Sequence, residues 1–330
     1  MSAAKLFLLF SMAWVSLPAA AHEVRPAYLE ISESRSGQVH VLWKQPTAGR
    51  LSLPLSPHLS SGWLDAPPAS ATFTESYMLR RWEHSVPPGG LNGQTVAIDG
   101  LDRTITDVLL RVNFADGSSL SQVLRPGQAR FTIEQAGKSS LPVGDYFRLG
   151  VTHIWLGIDH LLYVFGLILL VDGLRNLLKT ITAFTLAHSI TLASAALGYV
   201  EVSPRPIEAV IALSIVYVAV ELVHLYRGRP GFARRYPWVV AFAFGLLHGF
   251  GFAGALAEVG LPEDAIPAAL LLFNLGIEAG QVAFVLAVLL VIKGLRLLLP
   301  RAAGWVPRLA PHAIGSLAAF WCLERLEFLF

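Results

Sequence analysis

The sequence predicts a polytopic α-helical membrane bundle of about six transmembrane helices, preceded by an N-terminal all-β extracytoplasmic domain. Three observations predict it. The 330 residues are 54% hydrophobic and only 15% charged, with a mean hydropathy of +0.55. From Tyr146 onward, apolar stretches follow one another, each near the roughly 20 residues needed to cross a hydrocarbon core. Before residue 138 the texture changes, and Pro, Ser and Gly punctuate short alternating runs. The net charge of +2 and the lack of a polybasic run exclude a nucleic-acid partner. Cys322 is the single cysteine, which excludes an intrachain disulfide and a thiolate metal cage.

The elements follow in order. Lys5, the apolar run Leu6 to Leu17 and the small residues Ala19-Ala20-Ala21 predict a signal peptide over 1–21, a retained signal anchor being the alternative. Cleavage after Ala21 makes His22 the first residue, where its amine and imidazole together can chelate Cu²⁺ or Ni²⁺. The bland alternative is an accident of the cleavage site. Residues 22–138 read as a β-sandwich-like domain. Gln38 to Trp43, Thr95 to Ile98 and Ala129 to Ile133 alternate as strands. Val108 to Phe114 and Leu120 to Leu124 form a hairpin around the turn Asp116-Gly117. A linker over 139–145 leads to the helical domain, 146–330.

Spans are expected near 146–171, 179–199, 207–226, 237–258, 266–292 and 305–328. If the β domain is exported, the loops at 172–178, 227–236 and 293–304 face the cytoplasm. They hold Arg175, Arg227, Arg229, Arg234, Arg235, Lys293, Arg296 and Arg301, in accord with the positive-inside rule. The C-terminus then lies on the extracytoplasmic side, with the β domain.

Chemistry is concentrated in the spans. A charged group at mid-bilayer costs about 2.5–3.5 kcal/mol on insertion scales, so buried ionisable groups are expected to face one another. In the first span His153 and His160 are seven apart, nearly two turns, and so share a helix face. Gly157 between them removes bulk where a ligand passes. Asp159 either ligates directly or orients an imidazole; an interhelical His–Asp pair is the structural alternative. The second span places Thr185, His188 and Thr191 on one side. The third carries a stripe of Ser214, Tyr217, Glu221 and His224, with Glu208 and His224 near its ends. His248 of the fourth span sits among Gly245, Gly249, Gly251 and Gly254, where small-residue spacing permits close helix contact. Asn274, Glu278 and Gln281 occupy one face of the fifth. Glu324 and Arg325 of the sixth read as interfacial charges. Nitrogen and oxygen donors on several helices suit a divalent transition metal.

These residues resemble the HupE/UreJ family of bacterial membrane proteins. The likeness rests on His153-x5-Asp159-His160 followed by Leu-Leu-Tyr163, and on Phe184-Thr-Leu-Ala-His188-Ser-Ile-Thr-Leu192. It extends through Arg205-Pro-Ile-Glu208, Gly245-Leu-Leu-His248-Gly-Phe-Gly-Phe252 and Phe273-Asn-Leu-Gly-Ile-Glu278-Ala-Gly-Gln281. The resemblance implies a nickel permease of the bacterial inner membrane, with His153, Asp159 and His160 in the metal-selectivity motif. The exported β domain resembles the longer branch of that family. The shorter members' second motif, two histidines and a glutamate, is reduced here to His248.

The expected function is transport of a divalent metal ion, nickel first, with Co²⁺, Cu²⁺ or Zn²⁺ as alternatives. The candidate ligands are His153, Asp159, His160, His188, His248, Glu278, Glu221, Asn274, Gln281 and, in the exported domain, His22. Absence of a Walker A loop points to gradient-driven or passive movement. An intramembrane metal-dependent enzyme is a second reading, weakened by the lack of His-Glu-x-x-His and Gly-x-Ser-x-Gly. A non-transporting metal-binding accessory protein is a third. The expected partners are the lipid bilayer, the metal ion and an extracytoplasmic protein bound by the β domain.

Overall fold

A computed structural model of the chain describes residues 26–48, 51–74, 77–85, 90–134, 143–200, 202, 204–257, 266–300 and 304–326. The anticipated signal peptide and His22 lie outside the described residues.

The described residues of the N-terminal part form ten strands: β1 (Ala27–Glu33), β2 (Gln38–Ala48), β3 (Leu51–Ser52), β4 (Ser56–Leu59), β5 (Ser70–Phe73), β6 (Tyr77–Ser85), β7 (Thr95–Asp99), β8 (Val108–Asn113), β9 (Ser119–Leu124) and β10 (Arg130–Thr132). One sheet runs β5-β6-β2-β1-β8-β9 with β3 on β2; the other runs β10-β7-β4. Among the described strands only β1 and β8 pair in parallel, Leu29 opposite Leu110. Period-two alternation sends Leu29, Ile31, Val41 and Trp43 of the large sheet into one core with Val96 and Ile98 of the small one. The indole N–H of Trp43 donates to Gln45 Oε1 at 3.1 Å, which satisfies both buried polar groups. In the β8–β9 hairpin, Gly117 adopts φ +86° while Asp116 Oδ1 accepts from Ser118 N–H at 2.8 Å. Part of the outer face of the large sheet is also apolar. Its Tyr28, Leu109 and Val123 join a cluster with Leu149 and Ile154 of the first helix, so the sheet rests on the helical part.

The C-terminal part contains α1 (Val143–Leu156), α2 (Ile158–Leu170), α3 (Leu174–Ala196), α4 (Pro204–Tyr226), α5 (Phe232–Arg235), α6 (Pro237–Ala257), α7 (Ile266–Leu298) and α8 (Val306–Arg325). Among the described residues, two stretches are long and apolar enough to cross a membrane: Pro206–Tyr226 and Pro267–Leu298, with mean hydropathies of 2.0 and 2.3. Among the described residues, the other four expected spans do not meet that standard as single helices. α3 carries Arg175, Lys179 and a series of Thr and Ser residues; α8 carries Arg308, Pro311 and His312. In α6 the stretch Pro237–Gly251 is apolar, and the sequence stays apolar from Phe252 to Ala257.

The first expected span is not one helix. α1 and α2 pass the apolar test together but bend by 73° at Gly157. Gly157 has φ −78° and ψ 90°, an extended backbone between two helices. A side chain there would lie 2.9 Å from both the His153 carbonyl and His160 Nδ1. Glycine is therefore required at the elbow by space, and its role is a sharp break rather than a cleared passage on a continuous face.

Glycines also set the helix pairs. α3 and α6 approach until a side chain at Gly245 would collide with the Phe184 carbonyl, and one at Gly249 with the His188 carbonyl. α1 and α7 meet in the same way, Gly150 against the Phe273 carbonyl and Gly276 against that of Phe147. These two seams bring the His-bearing faces of α3 and α6 beside the elbow.

Candidate metal centre

His153 comes from the last turn of α1 and His160 from the first turn of α2. The bend, not the helical repeat, joins them. Their ring centroids are 4.9 Å apart across the elbow. His188 of α3 completes a trio, 6.1 Å from His153 and 6.2 Å from His160 by ring centroid. One ligand atom from each of the three imidazoles falls within 4.8 Å of the other two, and all three residues are buried.

Asp159 is buried and binds within its own turn. Its Oδ1 accepts from the His160 backbone N–H at 2.9 Å and lies 3.1 Å from His160 Nδ1. A proton on Nδ1 directed at this carboxylate leaves the Nε2 lone pair for a ligand, the usual way a carboxylate orients a metal-binding imidazole. The other oxygen, Oδ2, faces Arg325 Nη2 at 3.8 Å. Arg325 was expected at the interface with Glu324. Its side chain is instead buried, and it also donates to the Glu208 carbonyl at 2.8 Å. A guanidinium reaching inward from the end of α8 thus ties the elbow to α4. Nothing in the sequence distance between Arg325 and Asp159 signals that contact.

His248 of α6 stands beside the trio, 5.0 Å from His160 by ring centroid, with Ser214 Oγ at 3.0 Å from its Nε2. Aromatic rings close the site. Phe273 lies 5.5 Å from His153, Phe184 5.1 Å and Tyr163 5.4 Å from His248, all by centroid. The three aromatic residues are fully buried and keep the imidazoles in a dry, low-dielectric setting. All three stand in the motifs that carry the family resemblance, yet the sequence assigns them no part in the site, because aromatic residues in apolar spans are indistinguishable from ordinary packing.

The polar face of α7 lies along α3. Thr182 donates to Glu278 Oε1 at 2.6 Å, and Thr185 donates to Gln281 Oε1 at 2.9 Å. Asn274 Nδ2 donates to the Leu270 carbonyl at 2.8 Å. Glu278 is half-buried and lies outside the histidine trio.

Glu221 is elsewhere. Its Oε2 accepts from the Ala233 N–H at 3.1 Å, and the carboxylate fills the space that a side chain at Gly231 would need. It anchors the loop and short helix α5 at the opposite end of α4, so the stripe from Ser214 to His224 divides between two tasks. His224 is exposed.

Among the described residues, Nδ1 of His248 and Nε2 of Gln281 are buried without hydrogen-bond partners, and the buried His188 ring has the Asn274 amide beside it. Buried polar atoms are ordinarily paired, so a group of them around one space fits a site that accepts a ligand. The donor chemistry, imidazole nitrogen with an amide oxygen nearby, suits a divalent transition metal.

A protein-family model described as HupE / UreJ protein matches residues 128–325, which covers all of the helical part described above up to Arg325. No curated protein and no solved structure matches the chain.

Proposed function

The chain belongs to the HupE/UreJ family, and on that footing we propose that it carries a divalent transition metal ion across the bacterial inner membrane, nickel first. The family is linked to nickel and cobalt transport and to urease and hydrogenase maturation, and the chain is a membrane protein. The observation that carries the proposal is the buried trio of His153, His160 and His188, whose ligand atoms lie within 4.8 Å of one another on three helices. Metal–imidazole bonds of about 2.0–2.1 Å put the nitrogens around one ion roughly 3–4 Å apart, so small ring rotations bring the trio to coordination distance.

In this reading six transmembrane elements enclose the site, the elbow of α1 and α2 serving as the first. His153 receives the ion from the extracytoplasmic side. His160 and His188 hold it, with His248 and the Asn274 amide oxygen within reach as further donors. Asp159 sets the tautomer of His160, and Arg325 holds Asp159 in place. Glu278, hydrogen-bonded to Thr182 on the far side of His188, takes the ion onward between α3 and α7. Co²⁺, Cu²⁺ and Zn²⁺ offer the same ligand preferences and are the competing cargoes.

The test is nickel uptake into proteoliposomes bearing the native chain or His160→Ala. Saturable uptake by the native chain, lost in the variant, is the expected outcome. Equal uptake by both, for nickel and for the competing ions, contradicts the proposal. Tight stoichiometric retention of metal without uptake would redirect it to an accessory or enzymatic role.

A further inference from the structure

A cavity of about 390 Å³ opens between the β domain and the elbow. One wall belongs to the β domain, with Asp107, Arg125 and Gln128; the other belongs to α1, with Arg148, Thr152 and His153, and it ends on Gly157. His153 is therefore the member of the trio that faces outward. It keeps 9% exposure, against 0% for His160 and His188. We propose that this cavity is the entrance vestibule, in which a hydrated divalent cation is captured by Asp107 and handed to His153. This rests on the transport reading above and assigns its outer step to the β domain.

Size and the outward face of His153 support the assignment. Water occupies about 30 Å³ in the liquid, so the cavity holds on the order of ten waters, enough for an ion with its first hydration layer. Asp107 is the one carboxylate among the described lining residues, and it interacts with the wall residues Arg125 and Arg148. Arg125, which would repel a cation, is paired with Asp145. The vestibule also has fixed geometry, because Tyr28, Leu109 and Val123 seat the large sheet on Leu149. The β domain is then a working half of the entrance rather than an appendage, and hydrated cation is concentrated beside a buried imidazole before it sheds water.

The experiment introduces Thr152→Cys into a Cys322→Ser chain, reconstitutes it, and applies a membrane-impermeant cationic thiosulfonate before measuring nickel uptake. Thr152 Oγ donates only to backbone carbonyls of its own helix, those of Arg148 and Leu149, so the substitution spares the fold. Labelling is expected to lower initial uptake at least tenfold, nickel to slow labelling, and dithiothreitol to restore uptake. Ser36→Cys, on an exposed turn of the β domain, is expected to label without effect. In parallel, Asp107→Asn is expected to raise the KM for nickel several-fold at constant maximal rate. Full labelling at Thr152 with unchanged uptake overturns the vestibule and leaves the transport reading standing. Failure of the unlabelled chain to take up or bind nickel overturns both.

Discussion

Two buried carboxylates occupy opposite ends of the helical part and do different work. Asp159 lies at the elbow, within reach of an imidazole and opposite a buried guanidinium. Glu221 lies at the loop between α4 and α6, where it binds the backbone N–H of Ala233 and abuts Gly231. In the sequence both are acids in apolar spans, with the same insertion penalty and the same expectation of function. The difference lies in their surroundings. Asp159 faces an imidazole that can bind a cation and a guanidinium that balances its charge; Glu221 faces a peptide N–H and completes a turn. Burial of a charge shows that something compensates it, and the compensating group decides whether the place is a site.

That contrast can be broken by substitution. The largest effect is expected at the trio. His160→Ala removes a central donor, and nickel affinity by equilibrium dialysis should fall by more than about 100-fold, beyond the range for an orienting residue. Next, Asp159→Asn should cost about 10–100-fold in affinity, as loss of an orienting carboxylate does. Glu221→Gln should leave affinity within a factor of two and instead lower stability by about 1–3 kcal/mol, read from thermal unfolding in detergent. Similar affinity losses in the two variants would erase the distinction between the acids.

The paired glycines sharpen it. Gly157→Ala forces a methyl group to within 2.9 Å of His160 Nδ1 and the His153 carbonyl. It should weaken nickel binding about tenfold while costing about 1–3 kcal/mol of stability through overpacking. Gly231→Ala crowds the Glu221 carboxylate and should affect stability alone. The smallest effect is a pH dependence at the entrance. Burial pushes the Asp107 carboxyl above the usual carboxylate range, opposed by Arg125 and Arg148 and reinforced by Asp145. The carboxylate captures a cation only when ionised, so the KM for nickel should rise as pH falls through this elevated pKa. That rise should begin at a higher pH than for an ordinary aspartate and be absent in Asp107→Asn, as read from initial rates at graded external pH.

Much of this was legible in the sequence, and the gaps have physical causes. The β8–β9 hairpin followed from Asp116-Gly117, and the strands around Val41, Val96 and Phe131 from alternation. β6 was not foreseen: its Arg80, Arg81, Glu83 and His84 mask the pattern, because one face of that strand is outside the core. The histidines were conspicuous against apolar surroundings. The elbow was not, since a lone glycine inside a helical pattern is usually tolerated. The signal was Asp159 two residues after Gly157, an acid placed where a new helix begins. Arg325 was missed because long cationic side chains near span ends ordinarily turn toward water. It turns inward because Asp159 and Glu208, on two other helices, converge on it, and such convergence is a tertiary fact.

X-ray absorption spectroscopy of the nickel-loaded native protein and of His188→Ala tests the central claim most directly. The account predicts imidazole scattering from three histidines in the native protein and from two in the variant. A metal environment of carboxylate and water oxygens, or one that His188→Ala leaves unchanged, would contradict it.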